Sequence, residues 1–223
     1  MIDRIQLAER YERVKATIPG DVKLIAVSKK RTVEEIKALY DLGHRAFGES
    51  YPQELRDKHS LLPPDIEWHF IGNLQSNKVK YVVPAATLVH TVDDMQILNV
   101  LNERARSINA RVAVLFQVHI AREKTKHGFS PIELEEFFND RSMDRWPFIL
   151  PKGLMGMATN TTDRDLIRQE FRSLRSVLDK VSASFGDDSQ QFKELSMGMS
   201  SDAGIAIQEG STMVRIGTAI FGE

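Results

Sequence analysis

Two adjacent lysines, Lys29 and Lys30, follow the first apolar, β-branched run of the chain at residues 23–27. A lysine at the mouth of a folded barrel can point inward and lose hydration, and its neutral amine can then form a Schiff base with a carbonyl compound. The alternative is that both lysines solvate a surface loop, as an arbitrary Lys-Lys pair usually does. The surroundings of Lys29 decide between the two.

A second group of residues near the end of the chain suits an anion. Ser200, Ser201 and Asp202 stand where an apolar run meets a short helical stretch, so hydroxyls and unpaired backbone amides point to one place. Ordinary N-capping of that helix is compatible with the same geometry. Further on, Gly217 lets the backbone approach a ligand and Thr218 offers another donor, directly after the cation of Arg215.

Apolar runs alternate with amphipathic segments along the chain. Strand-like runs lie at residues 23–27, 45–48, 68–71, 87–91, 112–118, 153–157, 194–199 and 213–216. Helical signals separate them: Thr32 and Glu35 have capping-box spacing, Asp93 and Gln96 open a long helix, and apolar residues recur at helical spacing over 163–184.

Eight strands, each but the last followed by a helix, predict a parallel sheet that closes into a single TIM-type (β/α)8 barrel of the α/β class. An extra helix precedes the first strand, and residues 1–223 are expected to form one domain. An open doubly wound sheet is the alternative, but it would need a glycine-rich first turn, which VSKKRT lacks.

Closure of the barrel brings the reactive groups together. Barrel sites lie where strands pass into the following loops, and phosphate groups are frequently held by the loops after strands seven and eight. Strand eight lies beside strand one at a spacing of about 4.8 Å, so Arg215 and Lys29 should reach the same mouth. A lysine, a phosphate cradle and an arginine facing a pyridine nitrogen suit pyridoxal 5′-phosphate (PLP).

Composition excludes several other classes. The absence of cysteine removes disulfides, thiolate metal sites and thiol nucleophiles, and suits a reducing compartment. The formal charge of -1 provides no field that would recruit nucleic acid or an anionic membrane. The charged start MIDRIQLAERYERVK is unlike a signal peptide, and the six histidines form no HExxH pattern. We therefore expect a cytoplasmic protein without a metal site.

Six motifs resemble the pyridoxal phosphate homeostasis protein family, whose barrel is similar to the N-terminal domain of alanine racemases. They run from Ala26 to Gly222 and read AVSK, YDLGHRAFGESYPQEL, WHFIGNLQSNK, GLMGMAT, LSMGMSSD and GSTMVRIGTAIFG. The resemblance implies that Lys29 carries PLP, that Ser200, Gly217 and Thr218 hold its phosphate, and that Arg215 faces the ring nitrogen. Ser201 joins this set as a neighbour of Ser200.

The resemblance further implies a PLP-binding regulator of vitamin B6, amino-acid and keto-acid balance, without strong turnover. One alternative is a weak PLP-dependent racemase or lyase, although the related enzymes complete their sites with a second domain. Another is a Schiff-base aldolase acting on a sugar phosphate, and a third is an interaction protein whose ligand state a partner reads. Amino acids are possible ligands, and we expect a monomer because no strongly apolar exposed helix is evident.

The sequence departs from the family pattern at three positions near the expected mouth. Ser50 and Pro52 replace the usual Asn and Val, and His119 stands where Asn is usual. Asn73 is as suited to shaping its loop as to contacting a ligand. These residues are therefore not assigned to the site.

Overall fold

A closed barrel of eight parallel strands forms the centre of the protein, with strand order β1 to β8 and β8 paired to β1. The computed structural model describes residues 3–123, 127–139, 142–185 and 191–222. The strands are β1 Lys23–Val27, β2 Ala46–Glu49, β3 Glu67–Phe70, β4 Leu88–Val92, β5 Val112–Val118, β6 Ile149–Gly156, β7 Glu194–Ser196 and β8 Met213–Ile216. The predicted barrel is confirmed, with β1, β5 and β8 at their predicted bounds.

Helices cover the outside of the barrel. They are α1 Arg4–Lys15, α2 Val33–Asp41, α3 Pro52–Leu61, α4 Val79–Val82, α5 Met95–Ser107, α6 Pro131–Asn139, α7 Arg164–Ala183, α8 Ala203–Gln208 and α9 Thr218–Phe221. Helix α9 follows β8, where no helix was predicted, because four residues are too few to show a helical repeat. It packs on α1, with Arg10 Nε donating to Ile220 O at 2.9 Å. In the part of the chain described, no helix has the length and apolar character needed to cross a bilayer.

Side-chain caps fix where several helices begin. Thr32 and Glu35 form the predicted capping box of α2. Helix α5 differs from the prediction, because Asp94 rather than Asp93 is its N-cap and accepts a hydrogen bond from Ile97 N at 2.7 Å. One side of α7 is buried as its apolar repeat predicted.

Two apolar cores stabilise the barrel. The larger lies between the strands and the surrounding helices. The smaller fills the barrel interior with side chains from five strands: Ile25, Leu88, Leu115, Met155 and Met213. Buried polar groups share this interior, among them His69, His90, Ser196 and Arg215. Buried polar side chains therefore also occupy the otherwise apolar interior of the barrel.

Candidate functional site

Lys29 lies in a turn directly after β1 and not on the strand itself. The strand ends at Val27, Ser28 is buried, and Lys29 and Lys30 are both exposed. Lys30 has a φ of 61°, a left-handed conformation that costs a non-glycine residue about 1–2 kcal/mol. A lysine at this mouth could have pointed inward and lost hydration, but both side chains are exposed on the turn.

Hydrogen bonds hold this turn from beneath. Ser28 Oγ donates to Glu49 Oε1 at 2.6 Å, and Lys58 Nζ donates to Ser28 O at 2.9 Å. On the other side of Lys29, Lys30 N donates to Glu54 Oε2 at 2.8 Å. The backbone on both sides of Lys29 is therefore fixed, while its side chain remains accessible.

A buried ion pair between Glu49 and Lys58 anchors this support. Lys58 Nζ lies 2.8 Å from Glu49 Oε1 and 2.7 Å from Glu54 Oε2, and Glu49 is fully buried. Burial raises the pKa of Glu49, and the nearby Lys58 and Ser28 partly offset this. Its second oxygen, Oε2, has no hydrogen-bond partner. The pair could not be recognised from the sequence, because Lys58 occurs in a helical segment that resembles a solvated surface helix.

The loops after β7 and β8 bring the predicted phosphate-binding residues together. The Ser200 and Thr218 hydroxyl oxygens lie 3.5 Å apart, and both side chains, like that of Ser201, are exposed. Thr218 opens α9, whose first amides have no acceptor within the helix. A Cβ on Gly217 would lie 3.2 Å from Val27 Cβ, so this loop packs against the end of β1, two residues before Lys29.

Asp202 supports the loop rather than capping the helix. Its Oδ1 accepts a hydrogen bond from Met199 N at 2.6 Å, and the side chain makes no capping bond to α8. Ser200 and Ser201, which precede it, are both exposed.

Arg215 lies inside the barrel, in register with Ile25 of β1. Its Nη1 donates to Ser196 Oγ at 2.5 Å and its Nη2 to Gly156 O at 3.2 Å. Burial lowers the pKa of Arg215 to about 10, and Asp202 opposes this shift, so the guanidinium remains a cation at neutral pH. These two bonds leave further N–H groups of the guanidinium available to a ligand.

A chain of hydrogen bonds continues from Arg215 across the barrel. His90 Nδ1 lies 2.9 Å from Ser196 Oγ, and His90 Nε2 lies 2.9 Å from His69 Nδ1. Arg215 can only donate, so Ser196 Oγ accepts from it. Among the described residues, His90 Nδ1 is the other polar atom within hydrogen-bond distance of Ser196 Oγ, so the hydroxyl hydrogen has an acceptor when Ser196 donates it to His90 Nδ1. His90 then donates from Nε2, which leaves the hydrogen of His69 on its Nε2. Both histidines are therefore hydrogen-bonded core residues.

Burial lowers the pKa of both histidines. For His69 the adjacent Glu67 partly opposes the shift, whereas the cations of Arg215 and Lys23 add to it for His90. Both rings are therefore neutral at neutral pH, as the hydrogen-bond directions require.

Two of the three positions that depart from the family pattern, Ser50 and Pro52, line a cavity of about 420 Å³ beside β2 and β3, together with Asn73. His119 Nε2 lies 2.9 Å from Glu123 O, close to β5. Among the described residues no three His, Asp or Glu side chains form a group that could hold a metal ion.

The donors at this mouth fit the three polar ends of PLP. Lys29 offers an accessible primary amine for the aldehyde, and Ser200 and Thr218 offer hydroxyls for the phosphate. Arg215 offers N–H donors for the ring nitrogen from a buried position. The set contains one chemically suitable group for each end.

Comparison with known proteins shows the same family over the whole barrel. The model of the alanine racemase N-terminal domain matches residues 2–223. The pyridoxal phosphate homeostasis protein of Vibrio alginolyticus is 40% identical over 227 aligned positions, covering 99% of this chain and 95% of that protein.

Solved structures agree. PipY of Synechococcus elongatus PCC7942 with PLP bound superposes with a TM-score of 0.86 at 30% identity, covering 97% of this chain and all of PipY. Alanine racemase of Clostridium difficile 630 has a TM-score of 0.73 at 15% identity, and shares the fold. The match covers 98% of this chain but 56% of the racemase. This protein therefore belongs to the pyridoxal phosphate homeostasis protein family and is built on the barrel of the alanine racemase N-terminal domain.

Proposed function

We propose that this protein binds PLP through a Schiff base on Lys29 and acts in vitamin B6 homeostasis and in amino-acid and keto-acid balance. The observation that carries the proposal is the contact of the Gly217 loop with the end of β1, next to the braced turn of Lys29. The PLP-bound structure of PipY and the name of the Vibrio alginolyticus relative support it.

The binding groups act separately on the two ends of the ligand. When bound, PLP supplies an aldehyde that condenses with a primary amine, releasing one water, and a ring that withdraws electrons. Lys29 provides the amine from a fixed backbone. Ser200, Ser201, Gly217 and Thr218 receive phosphate oxygens through hydroxyls and amides, whose charge-assisted hydrogen bonds do not depend on the amine.

Arg215 favours a holding role over strong catalysis. A carboxylate facing the ring nitrogen would keep that nitrogen protonated, whereas arginine can only donate a hydrogen bond to an unprotonated nitrogen. The ring then withdraws electrons less strongly. Ser196 and Gly156 fix the guanidinium in the barrel, so the arginine cannot readily turn away from this position. This limits transamination and decarboxylation more than racemisation. We infer a carrier or regulator rather than an enzyme of ordinary turnover.

Equilibrium dialysis against PLP tests the roles of the two adjacent lysines. Lys29→Ala should lose most of its affinity but retain weak binding through the phosphate groups. Lys30→Ala is the matched control, because both side chains are exposed on the same turn. It should bind PLP as the unmodified protein does, since Lys30 is not the lysine proposed to form the Schiff base. Equal, tight binding by Lys29→Ala would show that the lysine is misassigned.

The carrier role is tested by incubating the PLP-loaded protein with single-enantiomer amino acids. Racemisation, keto-acid release and carbon dioxide should all proceed far more slowly than about 1 per second, an ordinary enzymatic rate. Turnover at or above that rate would replace the carrier proposal with the racemase or lyase alternative.

We also infer a monomer, because the most exposed apolar side chains are scattered. Ile5, Leu61 and Ile132 lie on three different helices, α1, α3 and α6. Single exposed apolar residues are ordinary surface features, whereas interfaces need contiguous patches. Light scattering coupled to gel filtration should give the mass of one chain.

A further inference from the structure

A second polar cavity lies at the end of the barrel opposite Lys29. It has a volume of about 380 Å³, and several of its lining residues are the first residues of strands. Its charged and titratable lining comprises Lys23, Glu67, His69, Lys152, Lys193 and Glu194. Because Lys29 follows the opposite, carboxyl end of β1, this basal cavity is distinct from the PLP site proposed above.

The basal cavity has an excess of positive charge, because three lysines face two carboxylates. Lys23 Nζ lies 2.5 Å from Glu67 Oε2, and Glu194 Oε2 accepts a hydrogen bond from Thr212 Oγ1 at 2.7 Å. Within the described ranges, neither Lys152 nor Lys193 has a carboxylate oxygen within 4 Å. Glu67 is thus paired with Lys23 and Glu194 is hydrogen-bonded to a neutral hydroxyl, whereas Lys152 and Lys193 have no carboxylate partner among the described residues.

His69 gives the cavity a buried donor that has no acceptor. The residue is 2% exposed, and its Nδ1 is already used by His90 at 2.9 Å. Its Nε2 has no hydrogen-bond partner, since Glu67 Oε2 lies 3.9 Å away, beyond hydrogen-bond distance. The proton order from Arg215 places the hydrogen of His69 on this Nε2. A buried N–H without an acceptor is unfavourable, so an incoming anionic oxygen would relieve it.

We propose that the basal cavity is a second binding site, for a small anion carrying a carboxylate or phosphate group. Lys152 and Lys193 neutralise the anion at the cavity wall, and one of its oxygens accepts the hydrogen of His69 Nε2. Ordinary surface lysines would attract an anion without any contact at His69, so the histidine distinguishes a defined site from a diffuse cationic surface.

The test is a titration of the ¹⁵N-labelled protein without PLP, following the histidine ring nitrogens by NMR. Inorganic phosphate and succinate are added separately at constant ionic strength, with potassium chloride as the blank. The His69 Nε2 signal should change saturably at millimolar concentration of at least one probe. His90 should respond in turn through its hydrogen bond. Whether phosphate or succinate binds identifies the anionic group.

A lysine variant separates this site from the mouth, where phosphate can also bind. Lys152→Ala combined with Lys193→Ala should weaken the His69 response at least about tenfold, corresponding to the loss of charge-assisted contacts. Lys80→Ala, an exposed lysine on α4, is the matched control and should leave the response unchanged. No saturable His69 response to either probe would overturn the proposal, as would an equal response in the double variant.

Discussion

Replacing Lys58 with methionine should destabilise the protein far more than its place on an outer helix suggests. The methionine keeps most of the apolar stem but removes the ammonium group that donates to Glu49 and to Ser28 O. Glu49 is fully buried and would lose its counterion. The backbone before Lys29 would lose a support at the same time.

The size of the effect follows from the burial of the pair. Removing one partner of a buried ion pair typically costs about 3–5 kcal/mol, because the other charge stays desolvated. Lys37→Met is the matched control: Lys37 pairs with Asp41 at 3.1 Å, but both side chains are about half exposed. Exposed pairs of this kind contribute about 0–1 kcal/mol. Lys58→Met should therefore lower the free energy of unfolding several times more than Lys37→Met does.

Urea denaturation at neutral pH measures both variants. Adding Glu49→Gln to Lys58→Met should recover much of the loss, because the unpaired charge is then gone. Burial raises the pKa of Glu49, so its protonation should also reduce the cost of Lys58→Met as the pH falls through that raised value. If Lys58→Met costs no more than Lys37→Met, the account of the buried pair is wrong.

Three further perturbations test other parts of the structure. Gly153→Ala should cost at least about 3 kcal/mol or prevent folding, because its Cβ would lie 1.9 Å from Glu194 O at a φ of 151°. Gly204→Ala, with open space around it, should be neutral or slightly stabilising, and equal denaturation midpoints for the two would contradict this. Lys30→Gly should stabilise the protein by up to about 1 kcal/mol in the same assay, because glycine adopts the left-handed conformation without strain. A loss of stability would contradict the left-handed conformation at Lys30. Burial lowers the pKa of His44 to about 4 from 6.5, so stability should be full above pH 6.5 and fall towards pH 4 by up to about 1.4 kcal/mol per pH unit. His44→Gln should show a shallower decline of stability with falling pH. An unchanged slope would exclude His44 as the source of this decline.

The sequence predicts the fold well because periodicity and caps are local signals. The strand at Val112–Val118 and the capping box of Thr32 need only neighbouring residues to be recognised. Short elements escape such reasoning: Thr218–Phe221 is a single helical turn. The turn that carries Lys29 and Lys30 also escapes such reasoning, because no local signal in the sequence marks it.

The candidate site, too, could be predicted from the sequence only in part. Lys29 and Arg215 could be proposed from residue type and from the order of barrel strands. The bracing of the Lys29 turn by Lys58 could not, because it depends on a contact across 30 positions of sequence. The contact of His90 with Ser196 spans 106 positions and needs the closed barrel. Long-range polar pairs of this kind produce no periodic pattern in the sequence.

The central claim is tested most directly by the visible absorption spectrum of the purified protein after incubation with PLP. A Schiff base should give an absorption band that borohydride removes, and peptide mass analysis should then place the added pyridoxyl mass on Lys29 alone. No band after incubation with PLP, or the added mass on Lys30 or Lys58 instead of Lys29, would contradict the account.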